Sequence, residues 1–271
     1  MSDAKRRSKR RRGGFGIENI ILIAAIVIFF ISAFQLYRIA KGYLDGRTEY
    51  QQIRDLVLQI DEDKGEEGDG FNIDFDELLK INPDTVGWIR FDPEPKEINY
   101  PIVQGRDNQE YLHKTFSANE NTLGAIFLNV QNNPNFKDEN TIIYGHRMRD
   151  GSMFRHLQDY ESKDFWEENQ YFYIYTLDGR KKLTYHIYSC GTVVETSDTY
   201  KDVFESNEEF EEFVKMTKDV AMYDTGVEVG AGNRIVTLST CTSASDEHRF
   251  VVRGVLENIE DMPPLEKDED E

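Results

Sequence analysis

Two cysteines, Cys190 and Cys241, are all that the 271 residues contain. A small scaffold stapled by disulfides and a four-cysteine zinc module are thereby excluded. Basic side chains are also scarce, with 32 Lys and Arg against 51 Asp and Glu and a formal charge of −19. Nucleic-acid recognition rests on clustered cations over phosphates, so a nucleic acid is not expected as a partner. No His, Cys and carboxylate cluster has metal-ligand spacing, and neither a metal nor a cofactor is expected. Apolar residues, by contrast, make up 39% of the chain and aromatic residues 12%. That suffices for a true core, rules out disorder throughout, and fits one large domain or two small ones.

The few cations are unevenly placed. Lys5, Arg6, Arg7, Lys9, Arg10, Arg11 and Arg12 fall in the first 18 residues against only Asp3 and Glu18, and residues 19–37 then carry no charge. That run approaches the roughly 20 residues needed to cross a bilayer as a helix. A cleavable signal peptide has an apolar stretch of only about 7–15 residues before a small-x-small site, and Gln35-Leu36-Tyr37-Arg38 offers no such site. An uncleaved signal anchor is the reading favoured over a removed leader or a core helix. Cations ahead of a span keep that side in the cytoplasm, so the acidic remainder is expected outside the cell. Anchoring also explains the basic cluster more simply than nuclear targeting does.

Beyond the span, Tyr43, Leu44, Tyr50, Ile53, Leu56, Val57 and Ile60 recur at roughly helical spacing and suggest an exposed helix or stalk over residues 38–63. The acidic, glycine-bearing stretch 61–70 reads as a linker. A short helix follows, with Asp74 as its cap, Glu77 three residues on, and Asn82-Pro83 as its stop. Strand-type runs then dominate at 86–91, 141–144, 171–176, 182–194, 234–241 and 249–256. Helical patterns interrupt them at 152–160 and 207–223. The economical layout is a basic segment (1–18), a span (19–37), a stalk and acidic linker (38–73), one mainly-β domain with inserted helices (74–258) and an acidic tail (259–271).

The chemistry gathers around one cysteine. A β-branched run ends on Cys241, a polar loop covers residues 242–248, and a second strand begins at Arg249. So short a connection suggests an antiparallel hairpin with Cys241 facing Arg249 at its mouth. A guanidinium there favours the thiolate and stabilises an oxyanion formed when sulfur attacks a carbonyl. Cys190 lies within an apolar strand with no cation beside it and reads as an inert buried thiol. A cysteine nucleophile needs a proton partner. Among the five histidines His146 stands out, because it too is released at the end of a β-run, in Thr141-Ile142-Ile143-Tyr144-Gly145. His248, directly before Arg249, is its competitor. His186 alternates with apolar residues in a strand, His156 belongs to a helical pattern, and His113 lies in a mixed helix or loop.

TLSTC at 237–241, Arg249 downstream and YGH at 144–146 upstream together resemble the sortases. The likeness continues through DELLKINPDTVGWI, YPIVQGRDNQEYL and NTIIYGHRMRDGSMFRHLQDY, so that residues 74–256, about two thirds of the chain, are similar to class B sortases. The resemblance implies an eight-stranded β-barrel. It also implies a cysteine transpeptidase acting outside the membrane on secreted proteins that carry a carboxy-terminal sorting signal, with a peptidoglycan-precursor amine as acceptor. On that likeness Cys241 is the nucleophile, His146 the proton carrier and Arg249 the group that holds substrate and oxyanion. Substrate contacts would come from Asn108, Leu112, Thr196, Tyr200 and Ser239. Each of these has an ordinary use too: Asn108 as a cap, Leu112 as core, Tyr200 as a half-buried aromatic, Ser239 as a strand hydroxyl. Thr242, where some relatives carry an acid, and Lys201, where some carry an apolar residue, bear on which sorting sequence is read. Two other readings stay open, a cysteine hydrolase or different cell-wall cysteine transpeptidase, and a membrane-anchored binding domain in which Cys241 is inert.

Overall fold

The computed structural model describes residues 16–60, 71–241 and 247–265. The chain divides after Leu44 into two units. The first holds the apolar run, as the opening part of helix α1 (Ile17–Val57). An 18-residue window of this helix has mean hydropathy 2.6, and none of the window is buried by protein. By length and composition it is a candidate membrane span. All 41 residues of α1 are helical, about 60 Å at ~1.5 Å per residue against the roughly 30 Å of a hydrocarbon core.

The second unit begins at Asp45, still within α1. Gly46, Tyr50, Ile53 and Val57 are buried, a spacing that places them on one helical face. Over these last turns the expected stalk is therefore a packed element, because its periodic residues form an apolar stripe with a surface to cover. The Tyr50 and Tyr100 rings meet edge to face at 5.2 Å. Strand β1 (Leu58–Ile60) follows and pairs antiparallel with β2 (Phe71–Ile73). The linker expected at 61–70 lies outside the described residues. Helix α2 (Phe75–Ile81) starts as its sequence implies, with the Asp74 carboxylate accepting from the Glu77 N–H at 3.0 Å.

Eight further strands close into a barrel: β3 (Thr85–Phe91), β4 (Asn99–Val103), β5 (Ile126–Leu128), β6 (Asn140–Tyr144), β7 (Tyr171–Thr176), β8 (Lys181–Val194), β9 (Ile235–Cys241) and β10 (His248–Asp261). The order around the barrel is β10-β8-β7-β3-β4-β5-β6-β9, and β9 returns to β10. The pairs β4–β5 and β6–β9 are parallel, and the remaining pairs are antiparallel. A mainly-β fold of eight barrel strands is thus the observed one.

Two strands of the barrel escape the sequence reading, as do β1 and β2 before it. Strand β5 is three residues long, too short to show a period, and β4 contains Pro101, which weakens any strand pattern. The pattern at 152–160 forms a 3₁₀ helix, Arg155–Glu161, followed by the short helix α3 (Lys163–Glu168). The helix expected at 207–223 is α4 (Asn207–Asp219), ending four residues early. Strand β10 continues past Leu256, and Asp261 still pairs with Lys181, so the first residues of the expected tail belong to the sheet.

Helix α4 covers the wall that carries the site. Ser206 caps it, accepting from the Glu209 N–H at 3.2 Å. Phe210, Phe213 and Val214 then pack on Tyr188, Ile235 and Val255 of β8, β9 and β10. With barrel interior on one side and α4 on the other, residues 235–240 are buried throughout. That double burial is why this strand reads as a nearly unbroken β-branched run.

Candidate active site

Strands β6 and β9 run in parallel and end at the same edge of the barrel. Their register sets Tyr144 opposite Ser239, and the Gly145 N–H donates to the Ser239 carbonyl at 3.1 Å. Two residues further along the two chains stand His146 and Cys241. Across the other edge of β9, Cys241 is the antiparallel partner of Arg249. The antiparallel pairing read from sequence therefore holds for the backbone at 241 and 249. The loop residues 242–246, Thr242 among them, lie outside the described residues. His248 precedes Arg249 on the same strand, and successive strand residues point to opposite faces. It is absent from the lining of the cavity described below, whereas His146 is part of it. His156 is held by Asp159 at 2.7 Å, and His186 stacks on Tyr171 at 4.5 Å.

His146 is half-buried, and its Nε2 lies 2.6 Å from the Leu112 carbonyl oxygen. A carbonyl only accepts, so this contact places the proton on Nε2. Burial holds the pKa of the ring below the usual histidine range; the Leu112 carbonyl opposes the shift, and His113 and Arg249 add to it. The His113 ring lies 6.2 Å away in a stacked arrangement. Gly124 closes the other side. Its φ is +63°, and a Cβ there would stand 2.8 Å from His146 Cδ2, 2.8 Å from the Leu112 oxygen and 2.9 Å from the Tyr111 oxygen. Gly124→Ala is therefore expected to cost about 2–4 kcal/mol, from left-handed strain and overpacking together. It is expected to lower turnover in the fraction that stays folded, because the methyl displaces the imidazole. Urea unfolding beside single-turnover rates checks both; an alanine variant with unaltered turnover refutes the displacement.

Arg249 ion-pairs with Glu195 and donates to the His248 carbonyl at 3.1 Å. Glu195 is in turn tied by its backbone N–H to the Glu247 carbonyl at 2.9 Å, so the β8 end and the β10 start are stitched together beside the guanidinium. A cavity of about 350 Å³ opens between these groups. His146, Arg249, Thr240, Ser239, Tyr144 and Tyr200 line it, together with Glu195, Phe127, Leu112 and Asn108.

Of the five expected substrate contacts, Asn108, Leu112, Tyr200 and Ser239 line the cavity. Thr196 is exposed and stands one residue beyond Glu195, which does line it. Asn108 donates to Asn129 Oδ1 and accepts from the Val130 N–H, both at 2.8 Å. The Tyr200 hydroxyl and Ser239 Oγ are hydrogen-bonded to each other at 2.8 Å, and the Tyr144 and Tyr200 rings stack at 6.4 Å. Burial above all raises the Tyr200 phenol pKa, which keeps it a hydroxyl. The segment bearing Tyr200 is fastened to the barrel by Asn140, which donates to the Lys201 carbonyl at 2.7 Å, and by the Asn129–Asp202 bond at 3.1 Å. Tyr144, Glu195, Phe127, His113 and Gly124 complete the site without having been picked from sequence. His113 and Glu195 each adjoin a residue that was, Tyr144 stands two before His146, and Phe127 sits on the strand too short to read.

Cys190 is a free, buried thiol whose Sγ donates to the Tyr160 carbonyl at 3.1 Å. Burial pushes its pKa up to about 11, which leaves it protonated and inert.

A closed mixed barrel, with His146 following one of two parallel strands, Cys241 ending the other and Arg249 paired with it in backbone register, is the frame that the following comparisons put among the cysteine transpeptidases. Residues 93–257 match the family model described as Sortase domain. Sortase B of Listeria monocytogenes is 36% identical over 185 residues, 66% of this chain and 72% of the relative. Sortase B of Staphylococcus aureus is 29% identical over 231 residues, 85% of this chain and 91% of the relative. A crystal structure of sortase B from B. anthracis superposes with TM-score 0.68 at 32% identity, covering 80% of this chain and 99% of that one. The chain belongs to the sortase family, and within it to class B.

Proposed function

We propose that this transpeptidase works outside the cell membrane, held by the span in α1 with residues 1–18 in the cytoplasm. It would take secreted proteins with a carboxy-terminal sorting signal as acyl donors and a peptidoglycan-precursor amine as acceptor. What supports the reading is backbone register: Tyr144 pairs with Ser239 two residues before His146 and Cys241, and Cys241 pairs with Arg249.

In this mechanism the Cys241 thiolate attacks the carbonyl carbon of the signal's threonine and forms a C–S bond. The Arg249 guanidinium stabilises the oxyanion of the tetrahedral intermediate. The intermediate collapses by breaking the C–N bond, and His146 in its charged form gives a proton to the departing amine. Since Nε2 is held by Leu112, Nδ1 is the nitrogen that exchanges this proton. The incoming amine then attacks the thioester, His146 takes back a proton, and the thiolate leaves. One difficult amide exchange thus becomes two acyl transfers. Glu195 competes with the oxyanion for Arg249 and fixes where the guanidinium waits. Asn108, Leu112, Tyr200 and Ser239 would hold the peptide, with Thr196 at the rim.

The test is product analysis by mass spectrometry, with the full chain in detergent, a panel of sorting peptides, and a small primary amine present or absent. A new amide that forms faster as the amine is raised supports the reading. Peptide consumed to the free acid at a rate indifferent to the amine makes the protein a hydrolase instead.

A further inference from the structure

The turns of α1 beyond Asp45 do more than cover apolar surface. They meet the segment that shapes the imidazole's surroundings, and they meet it with polar atoms. The Tyr50 hydroxyl, on a side chain only 2% exposed, donates to the Gly124 carbonyl at 2.8 Å and accepts from the Phe116 N–H at 3.2 Å. One residue earlier, the Glu49 carboxylate accepts from Thr115 Oγ1 at 2.9 Å, from the Ser117 N–H at 3.0 Å and from Asn119 Nδ2 at 3.3 Å. One turn earlier again, a Cβ on Gly46 would lie 2.9 Å from Leu123 Cδ2, so at this point the helix approaches the segment as closely as a bare backbone allows.

The same segment governs His146. Leu112 supplies the carbonyl on Nε2. Gly124 sits against Cδ2 of the ring, and the two ends of the loop are tied by the Ala125 N–H on the Tyr111 carbonyl at 3.0 Å and the Asn121 N–H on the His113 carbonyl at 2.8 Å. Only one residue, Gly124, separates the Tyr50 hydroxyl from the imidazole. The segment has bonds of its own, among them the Thr115 N–H on the Asn119 carbonyl at 2.9 Å, but its place against the imidazole also depends on what fastens it from outside.

We propose that Glu49 and Tyr50 are positioning residues for the transfer reaction, fixing the 112–124 segment and through it the orientation of His146. This rests on the reading of His146 as proton carrier. It makes the helix that follows the span a working part of the site, although neither residue touches substrate.

The experiment uses the full chain in detergent and compares Tyr50→Phe, Glu49→Gln and His146→Ala with Val57→Ala. Val57 is buried on the same helical face two turns further on. Tyr50→Phe keeps the ring contact with Tyr100 and loses both hydrogen bonds. Expected for Tyr50→Phe and Glu49→Gln is a fall in kcat on the order of tenfold with KM within about twofold, the scale on which slight misplacement of a reacting group is felt. A readout independent of activity is the NMR titration of the His146 ring. Its pKa is expected to rise toward the ordinary value in both variants, because loosening the segment lets water reach a ring whose shift is due mainly to burial. Val57→Ala should leave kcat and the titration unchanged. Two results overturn the proposal: kcat and the titration unaltered in Tyr50→Phe, or equal losses in Tyr50→Phe and Val57→Ala at matched stability. If His146→Ala keeps its turnover, the underlying reading of His146 fails instead, and the two failures are told apart.

Discussion

Cys241→Ala is expected to reduce amide formation by at least roughly 10³-fold, because removing a nucleophile removes both acyl-transfer steps and leaves only what binding and oxyanion stabilisation supply. The fold should survive. The ladder between residue 241 and Arg249 is made by backbone groups, and alanine keeps them. A melting temperature close to that of the wild type would show the loss to be chemical. A thiol-selective probe gives a second prediction from the same variant. The wild type should take one label and Cys241→Ala none, since Cys190 is buried with its thiol pushed up to about 11. Intact-mass measurement reads both counts. Turnover retained in Cys241→Ala would end the enzymatic reading of this site, and a label on Cys190 in the folded protein would end its assignment as inert.

How far the site could be read in advance depends on which signals are local. Cys241 and His146 were legible because each leaves the end of a β-branched run, and Arg249 because a short loop returns the chain beside the cysteine. The adjacency of β6 and β9 was not legible from residues alone. Parallel neighbours are joined by long connections, and nothing in either strand names its partner. The family likeness carried that step, and the register between Tyr144 and Ser239 gives it a physical cause. Gly124 was invisible for a related reason: its demand comes from His146 and Leu112, both distant in sequence. The stripe Tyr50, Ile53, Val57 was visible as a period, but a period does not say what the face covers. Reading it as a stalk missed that Tyr50 and Glu49 carry polar atoms into the loop beside the histidine.

His146→Ala is expected to lower kcat by roughly 10²–10⁴-fold, the range for a positioned proton donor and acceptor. The shape of the pH profile should change as well. Acylation uses the charged ring, and burial places the pKa below the usual histidine value, so the charged share shrinks with each unit of rising pH above it. The thiolate share grows in the same direction, and the product of the two gives a bell. Without His146 the falling limb loses its cause, and the residual rate should climb with pH. A profile for His146→Ala that keeps the wild-type bell would mean that another group carries the proton. Stability supplies an independent check. Since the folded ring binds a proton less readily than the unfolded one, the contribution of its neutral burial is complete above about pH 6.5. It is lost as pH falls through that value toward the depressed folded pKa. His146→Gln fills a similar space without titrating, so its melting temperature should drop less than that of the wild type between pH 7.5 and 5. Some acid sensitivity should remain, because burial also lowers the pKa of His186. Identical acid slopes in the two proteins would show that His146 is not held neutral by its surroundings, and the assignment of the falling limb to its ring would go with it.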